Sequence, residues 1–288
     1  MIDTVMKKIL AFQKNEITEH SIYLKLASIE KSAKNKEVLE RIAADELRHY
    51  EIWKKHTGRD LLPDRFAVWK YFLIARVLGL TFGLKLMEGG EADAQEAYAL
   101  MSLSVAEASG IVADEEAHEH KLLEMIDEER LKYVGSIVLG LNDALVELTG
   151  ALAGFTFALG NAKLVATAGA ITGIAASLSM AASEFLSTRS ENEGKDPVKA
   201  SVYTGIAYLL TVTLLVLPYL LSKELLVSLA VMLVTAVVII FAFTFYISVA
   251  KGLDFRKRFV EMVSISLGVA GLSFLIGLGV RACLNINI

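Results

Sequence analysis

The stretch VGSIVLGLNDALVELTGALAGFTFAL-GNAK-LVATAGAITGIAASLSMAASEFLS, residues 134–187, decides how the chain is read. It holds two apolar segments, 134–159 and 164–187, parted only by Gly160, Asn161, Ala162 and Lys163. Each is long enough to cross a hydrocarbon core about 30 Å thick as a helix. Yet the first carries Asp143 and Glu147, and the second carries Glu184. Ionisable groups inside a span are costly and face a bundle interior or a polar pathway. Everything before residue 134 therefore reads as a device feeding this pair of helices, and everything after 187 as the walls around it.

Downstream, the polar run Ser190-Glu191-Asn192-Glu193-Gly194-Lys195-Asp196-Pro197 forms a loop. Three more apolar segments follow, 198–221, 225–249 and 259–280, with Pro218 expected to end or bend the first of them. Five spans put the termini on opposite sides. One set of loops carries Arg130, Lys132, Arg189, Lys195, Lys199, Lys251, Arg256, Lys257 and Arg258; the other carries Lys163, Lys223 and Arg281. The excess of basic residues marks the cytoplasmic side. The expected placement is a multi-pass protein of the cell membrane, N-terminal region in the cytoplasm and C-terminus outside.

Asp143 and Glu147 are four residues apart, hence on one helical face; Met180 and Glu184 stand in the same relation on the second span. At 1.5 Å per residue, Asp143 lies roughly 14 Å and Met180 roughly 12 Å in from the cytoplasmic ends of their helices. Antiparallel neighbours bring the two nearly level. Carboxylates with a thioether suit a borderline divalent transition metal better than an alkali cation. Glu184 near the cytoplasmic mouth and Glu147 near the midplane extend the series into an acidic ladder that can also carry protons. Gly150, Gly154, Gly169 and Gly173 allow close helix contact along the same two helices.

The whole chain has 288 residues, 54% hydrophobic, with mean hydropathy +0.49 and net charge −4. Its charges crowd into the first 130 residues, so two domains are expected: residues 1–130, water-facing, and 131–288, in the membrane. The lone Cys283 excludes an intrachain disulfide. The start, MIDTVMKKIL, lacks the apolar core of a secretory signal and reads as a charged amphipathic helix. No alternating strand pattern occurs, so the class is all-α. No nucleic-acid partner is expected.

In the first domain the periodicity predicts helices over 3–31, 35–57, 65–87, 89–102 and 104–129. Two patterns recur. Glu16 precedes Tyr23 by seven residues, as Glu91 precedes Tyr98, and Ala44-Asp45-Glu46-Leu47-Arg48-His49 is matched by Ala113-Asp114-Glu115-Glu116-Ala117-His118. The domain reads as a duplicated helix pair. Residues i and i+3 share a helix face, so Glu46 with His49, and Glu115 with His118, each offer a carboxylate and an imidazole. With Glu16 and Glu91 added, four helices can enclose two metal ions, the di-iron carboxylate arrangement of ferritin-like bundles. Imidazole nitrogen favours iron over calcium or magnesium. His20, His56 and His120 read as surface histidines, and Tyr23 and Tyr98 as groups packed behind the site that hydrogen-bond a ligand carboxylate. The apolar segment 65–87 carries Lys70, Arg76 and Lys85, which argue against a span and for an interfacial or core-facing amphipathic helix. Lying on the bilayer and packing between subunits remain open to it.

Residues 5–128 resemble the rubrerythrin branch of the ferritin-like superfamily. The resemblance implies a di-iron centre (iron, or manganese in its place) with ligands Glu16, Glu46, His49, Glu91, Glu115 and His118, and Glu88 as the extra carboxylate of rubrerythrins. No Cys-x-x-Cys module accompanies it. Gly140-Leu141-Asn142-Asp143-Ala144-Leu145-Val146 and Ser179-Met180-Ala181-Ala182-Ser183-Glu184-Phe185-Leu186-Ser187 resemble the signatures of the vacuolar iron transporter family, over about residues 133–282. That resemblance implies a homodimer moving Fe²⁺ or Mn²⁺ out of the cytosol against protons, with Asp143, Met180 and Glu184 on motif positions. Thr172 stands where many members carry an acid, leaving Glu147 on the facing helix to supply one. The short loop after the second span replaces a Glu-rich metal-binding domain of many members, a role the ferritin-like domain can take. The expectation is a ferritin-like bundle followed by a five-helix transmembrane bundle: primarily a transporter, whose first domain captures, senses or oxidises iron, with a structural iron store as a further reading. The alternative is a membrane-anchored ferroxidase or peroxidase without transport.

Overall fold

A computed structural model describes residues 2–88, 110–111, 114, 133–191 and 194–283. The described residues are helix and loop without strand, in keeping with the all-α class, and five of the helices are long and apolar enough to cross a membrane. The chain divides into two compact units, Met1–Glu128 and Glu129–Ile288.

In the first unit α1 (Ile2–Ala27) and α2 (Ala33–Thr57) form a packed pair. Ser32 caps α2 by accepting from the Asn35 N–H, and Gly58 ends it in the left-handed conformation at φ 64°. Asp64 caps α3 (Arg65–Leu78), its Oδ1 accepting from the N–H groups of Phe66 and Ala67 at 2.9 and 3.1 Å. The single helix expected over 65–87 is two. Gly79, at φ 109° and ψ 150°, breaks it, and α4 (Leu80–Glu88) turns back over α3. Only glycine adopts that backbone readily. The fold-back is tight: a Cβ on Gly83 would sit 2.5 Å from the Ala75 Cβ. Its gain is burial, since Leu84 and Met87 join Ile22, Tyr23, Leu26, Leu39 and Ile42 in one apolar core. A straight helix would carry them past that core. The helices expected at 89–102 and 104–129 lie outside the described residues, apart from 110–111 and 114, which are helical.

In the second unit five helices follow: α5 (Val134–Leu159), α6 (Ala162–Glu191), α7 (Pro197–Leu221), α8 (Leu225–Lys251) and α9 (Phe255–Cys283). Helix α5 is central and touches the other four. Its neighbours fix the register. The Ser136 hydroxyl donates to Glu184 Oε1 at 2.5 Å, and a Cβ on Gly169 would meet the Leu152 side chain, so α5 and α6 are antiparallel. The Thr204 hydroxyl donates to the Ser136 carbonyl at 2.9 Å, and Thr156 and Tyr219 share a hydroxyl–hydroxyl bond at 2.7 Å, so α7 runs parallel to α5. The Ser266 hydroxyl donates to the Leu145 carbonyl at 2.7 Å, and Gly154 meets Ser273, so α9 is parallel too. Pro218 does not end α7; it sits in the last turn, and its carbonyl accepts the Ser222 N–H at 3.0 Å.

The interior of this unit is Ala144, Leu145, Leu148, Leu152, Tyr208, Leu215, Met232 and Ile240. Large apolar side chains also cover the outside, among them Val231, Val234, Val238 and Phe241 on α8. In lipid such a surface costs nothing, and the helices cohere by close packing and hydrogen bonds instead of water exclusion.

Candidate metal centre and intramembrane carboxylates

Helices α1 and α2 bring three of the predicted ligands together. Glu16, Glu46 and His49 are all fully buried, and one ligand atom from each lies within 4.8 Å of the others. The His49 Nδ1 is 3.5 Å from Glu46 Oε2 and 3.6 Å from Glu16 Oε2. Two donors bound to one ion at about 2.1 Å lie roughly 3.4 Å apart in a tetrahedral arrangement. The observed spacing therefore fits a shared divalent ion, and two carboxylates with one imidazole fit iron, manganese or zinc.

Two further groups set this cluster. The Trp53 indole N–H, one helical turn beyond His49, donates to Glu16 Oε1 at 3.0 Å. On the other side of the imidazole, His49 Nε2 is 3.5 Å from Asp114 Oδ2, and Asp114 is held by the Arg48 guanidinium at 3.0 Å. A carboxylate on Nε2 leaves Nδ1 to face Glu16 and Glu46 as the ligating nitrogen. Burial pushes the Glu16 carboxyl up to about 7; the neighbouring Glu46 charge adds to that, and the His49 side chain offsets part of it. Arg48, between Asp45 and Asp114, is held above its ordinary value by its bonds to them.

The sequence reading missed Trp53 and Asp114. Asp114 stands in the repeat beside Glu115, and its repeat partner Asp45 bonds to Arg48 at 2.8 Å, so the duplication itself is the available signal. Tyr23 is buried in the apolar core. His20 is half-buried, its Nδ1 2.6 Å from the Ala43 carbonyl oxygen, so it does not read as a free surface histidine. Glu88 ends α4, but its side chain, together with Glu91, Tyr98, Glu115, His118 and His120, lies outside the described residues.

In the second unit the predicted residues are strung along two helices. Glu184, on α6, accepts from Ser136 in the first turn of α5. That register sets Gly140 opposite Met180 and Asp143 three residues, about 4.5 Å, further along α5. Glu147 is one turn beyond Asp143, near enough for the two carboxyl groups to interact, and its Oε2 accepts from the Tyr208 hydroxyl at 3.0 Å. Among the described residues, Asp143, Glu147 and Glu184 do not converge as the first unit's triad does. Met180 is half-buried against the apolar core. Tyr208, itself fully buried on α7, was missed; its only advance signal was a phenol within a span. Asn142 Oδ1 and Thr149 Oγ1 are buried without a hydrogen-bond partner among the described residues, adding polar character to α5.

Close approach makes this arrangement fit. A Cβ on Gly140 would lie 2.5 Å from the Thr204 carbonyl oxygen, and one on Gly173 2.5 Å from Val212. Compared with known proteins, the chain matches no curated protein and no solved structure. The VIT family model matches residues 134–196, which cover α5, α6 and the loop after them.

Proposed function

We propose that the protein is a membrane transporter exporting Fe²⁺, Mn²⁺ or both from the cytosol by proton antiport, supplied by an N-terminal domain that captures iron. The observation that carries this is the pair Asp143 and Glu147 inside α5, within the segment matching the VIT family, with Glu147 accepting a hydrogen bond from Tyr208 on α7. A membrane anchor has no use for two carboxylates within a span, where each costs free energy. Divalent cations offset that cost in transit, and protons do so on the return. Glu184, tied to Ser136, stands at the entrance, and Met180 contributes a soft ligand between it and Asp143. In a monomer Glu147 is exposed at the helix surface, so a second copy facing it completes the pathway as a homodimer. Residues 1–130 act as the metal-gripping domain and 131–288 as the transporter, in the cell membrane with the N-terminus cytoplasmic.

In the first domain Glu16, Glu46 and His49 hold the metal, with Glu91, Glu115, His118 and Glu88 as the remaining proposed ligands of a di-iron centre. Bound iron there supplies one-electron chemistry with oxygen or peroxide. The chain's own contribution is to bury the donors, orient His49 through Asp114, and raise the Glu16 carboxyl toward neutrality, so that binding a metal there would release protons. The buried triad also favours a second reading, a membrane-anchored ferroxidase without transport.

The test is metal flux in proteoliposomes holding the full chain, with competing Fe²⁺, Mn²⁺ and Zn²⁺ across a pH gradient. Uptake coupled to proton movement and abolished in Asp143→Ala is expected. Flux unchanged in that variant refutes the pathway; Fe²⁺ oxidation lost in Glu46→Ala, with no flux under any gradient, establishes the second reading.

A further inference from the structure

Helix α3 turns one face into the first unit and leaves large apolar side chains exposed on the other. Val68, Tyr71, Phe72 and Ala75 pack toward α1 and α2. Phe66, Trp69, Leu73 and Val77 follow one another at helical spacing along the opposite face and are exposed, Phe66 at 69% and Trp69 at 53%. Phe66 and Trp69 tilt against each other with ring centroids 6.1 Å apart. A contiguous apolar stripe of this kind marks an interaction surface.

Its charges decide the partner. From residue 65 to 87 there is no Asp or Glu, while Arg65, Lys70 and Arg76 all lie on α3. At 100° per residue, Arg65 and Arg76 fall on one flank of the stripe and Lys70 on the other. We propose that α3 is a bilayer-contact helix. It lies in the headgroup region of an anionic membrane, with Phe66, Trp69, Leu73 and Val77 at the acyl boundary and the three cations reaching phosphate groups. A second copy is the weaker fit, because an isologous contact sets the same cationic stripe against itself. A membrane offers the opposite charge and an interfacial site that suits indole. Lipid is also at hand for every copy, since the same chain carries five candidate spans. This inference does not depend on the transport reading.

The chain has two tryptophans, Trp53 and Trp69, both in the first unit, so its indole emission is blind to the spans. Trp53 is fully buried in protein. The experiment reconstitutes the full chain in phosphatidylcholine vesicles with and without phosphatidylglycerol, the acyl chains brominated near the headgroup. The Trp69 contribution is taken as the difference between wild type and Trp69→Phe. Bromolipid is expected to quench that contribution at least twofold in the anionic vesicles, and an Arg65→Glu/Lys70→Glu/Arg76→Glu variant loses the effect. If Trp69 resists bromolipid but yields to aqueous acrylamide, the face is free in water. If it resists both, protein covers it. Either result overturns the proposal, as does equal quenching without anionic lipid that survives in the triple variant.

Discussion

Trp53 and Glu16 are joined by a buried hydrogen bond: the indole N–H of α2 donates to Oε1 of the α1 carboxylate at 3.0 Å, both residues being out of contact with solvent. The bond leaves Oε2 turned toward His49. Trp53→Phe keeps the ring packing against Phe12 and removes the donor. Partners behind a metal ligand are worth about 10–100-fold in affinity. Calorimetric titration of metal-free protein with Mn²⁺ or Co²⁺ is expected to show a loss in that range.

The same carboxyl makes stability depend on pH. Glu16 has its pKa raised from 4.5 to about 7, so between those values the folded state holds a proton that the unfolded chain has released. The stabilising contribution is complete below pH 4.5, falls as pH rises, and is spent above 7, amounting to about 3 kcal/mol. Denaturant unfolding of metal-free protein, followed by tryptophan emission, is expected to show this decline. Glu16→Gln flattens it, and bound metal reverses it at neutral pH.

Asp114 bridges Arg48 and His49. Asp114→Ala frees the imidazole to rotate or change tautomer. Metal affinity is expected to fall about tenfold or more, while Asp114→Glu retains part of it, as read by the same titration.

Tyr208 donates to Glu147 from α7. Tyr208→Phe removes that bond without altering the ring, leaving the carboxylate short of a partner. A hydrogen bond to a charged group is worth about 1.5–3 kcal/mol, so metal flux in proteoliposomes is expected to drop roughly tenfold at unchanged protein content.

Gly140 admits the Thr204 backbone where a side chain would stand. Gly140→Ala forces α5 and α7 apart. A cost of about 1–3 kcal/mol is expected, seen as a lower melting temperature in detergent, with the weakened Ser136–Thr204 contact carrying Glu184 out of place.

By itself, the sequence determined what local periodicity and composition can encode. The all-α class, the five apolar helices and the shared face of Glu46 and His49 follow from spacing along one helix, because helix geometry is fixed residue by residue. Tertiary structure alone decided what meets across helices. The break at Gly79 shows this: a run of apolar residues predicts one helix, and only the core waiting for Leu84 and Met87 makes it fold back. Trp53 and Glu16 are 37 residues apart, Asp114 and His49 65, Tyr208 and Glu147 61. Such pairs leave no periodic trace, since they depend on the rotation and register of whole helices, which in the second unit the close packing at Gly140, Gly154, Gly169 and Gly173 sets.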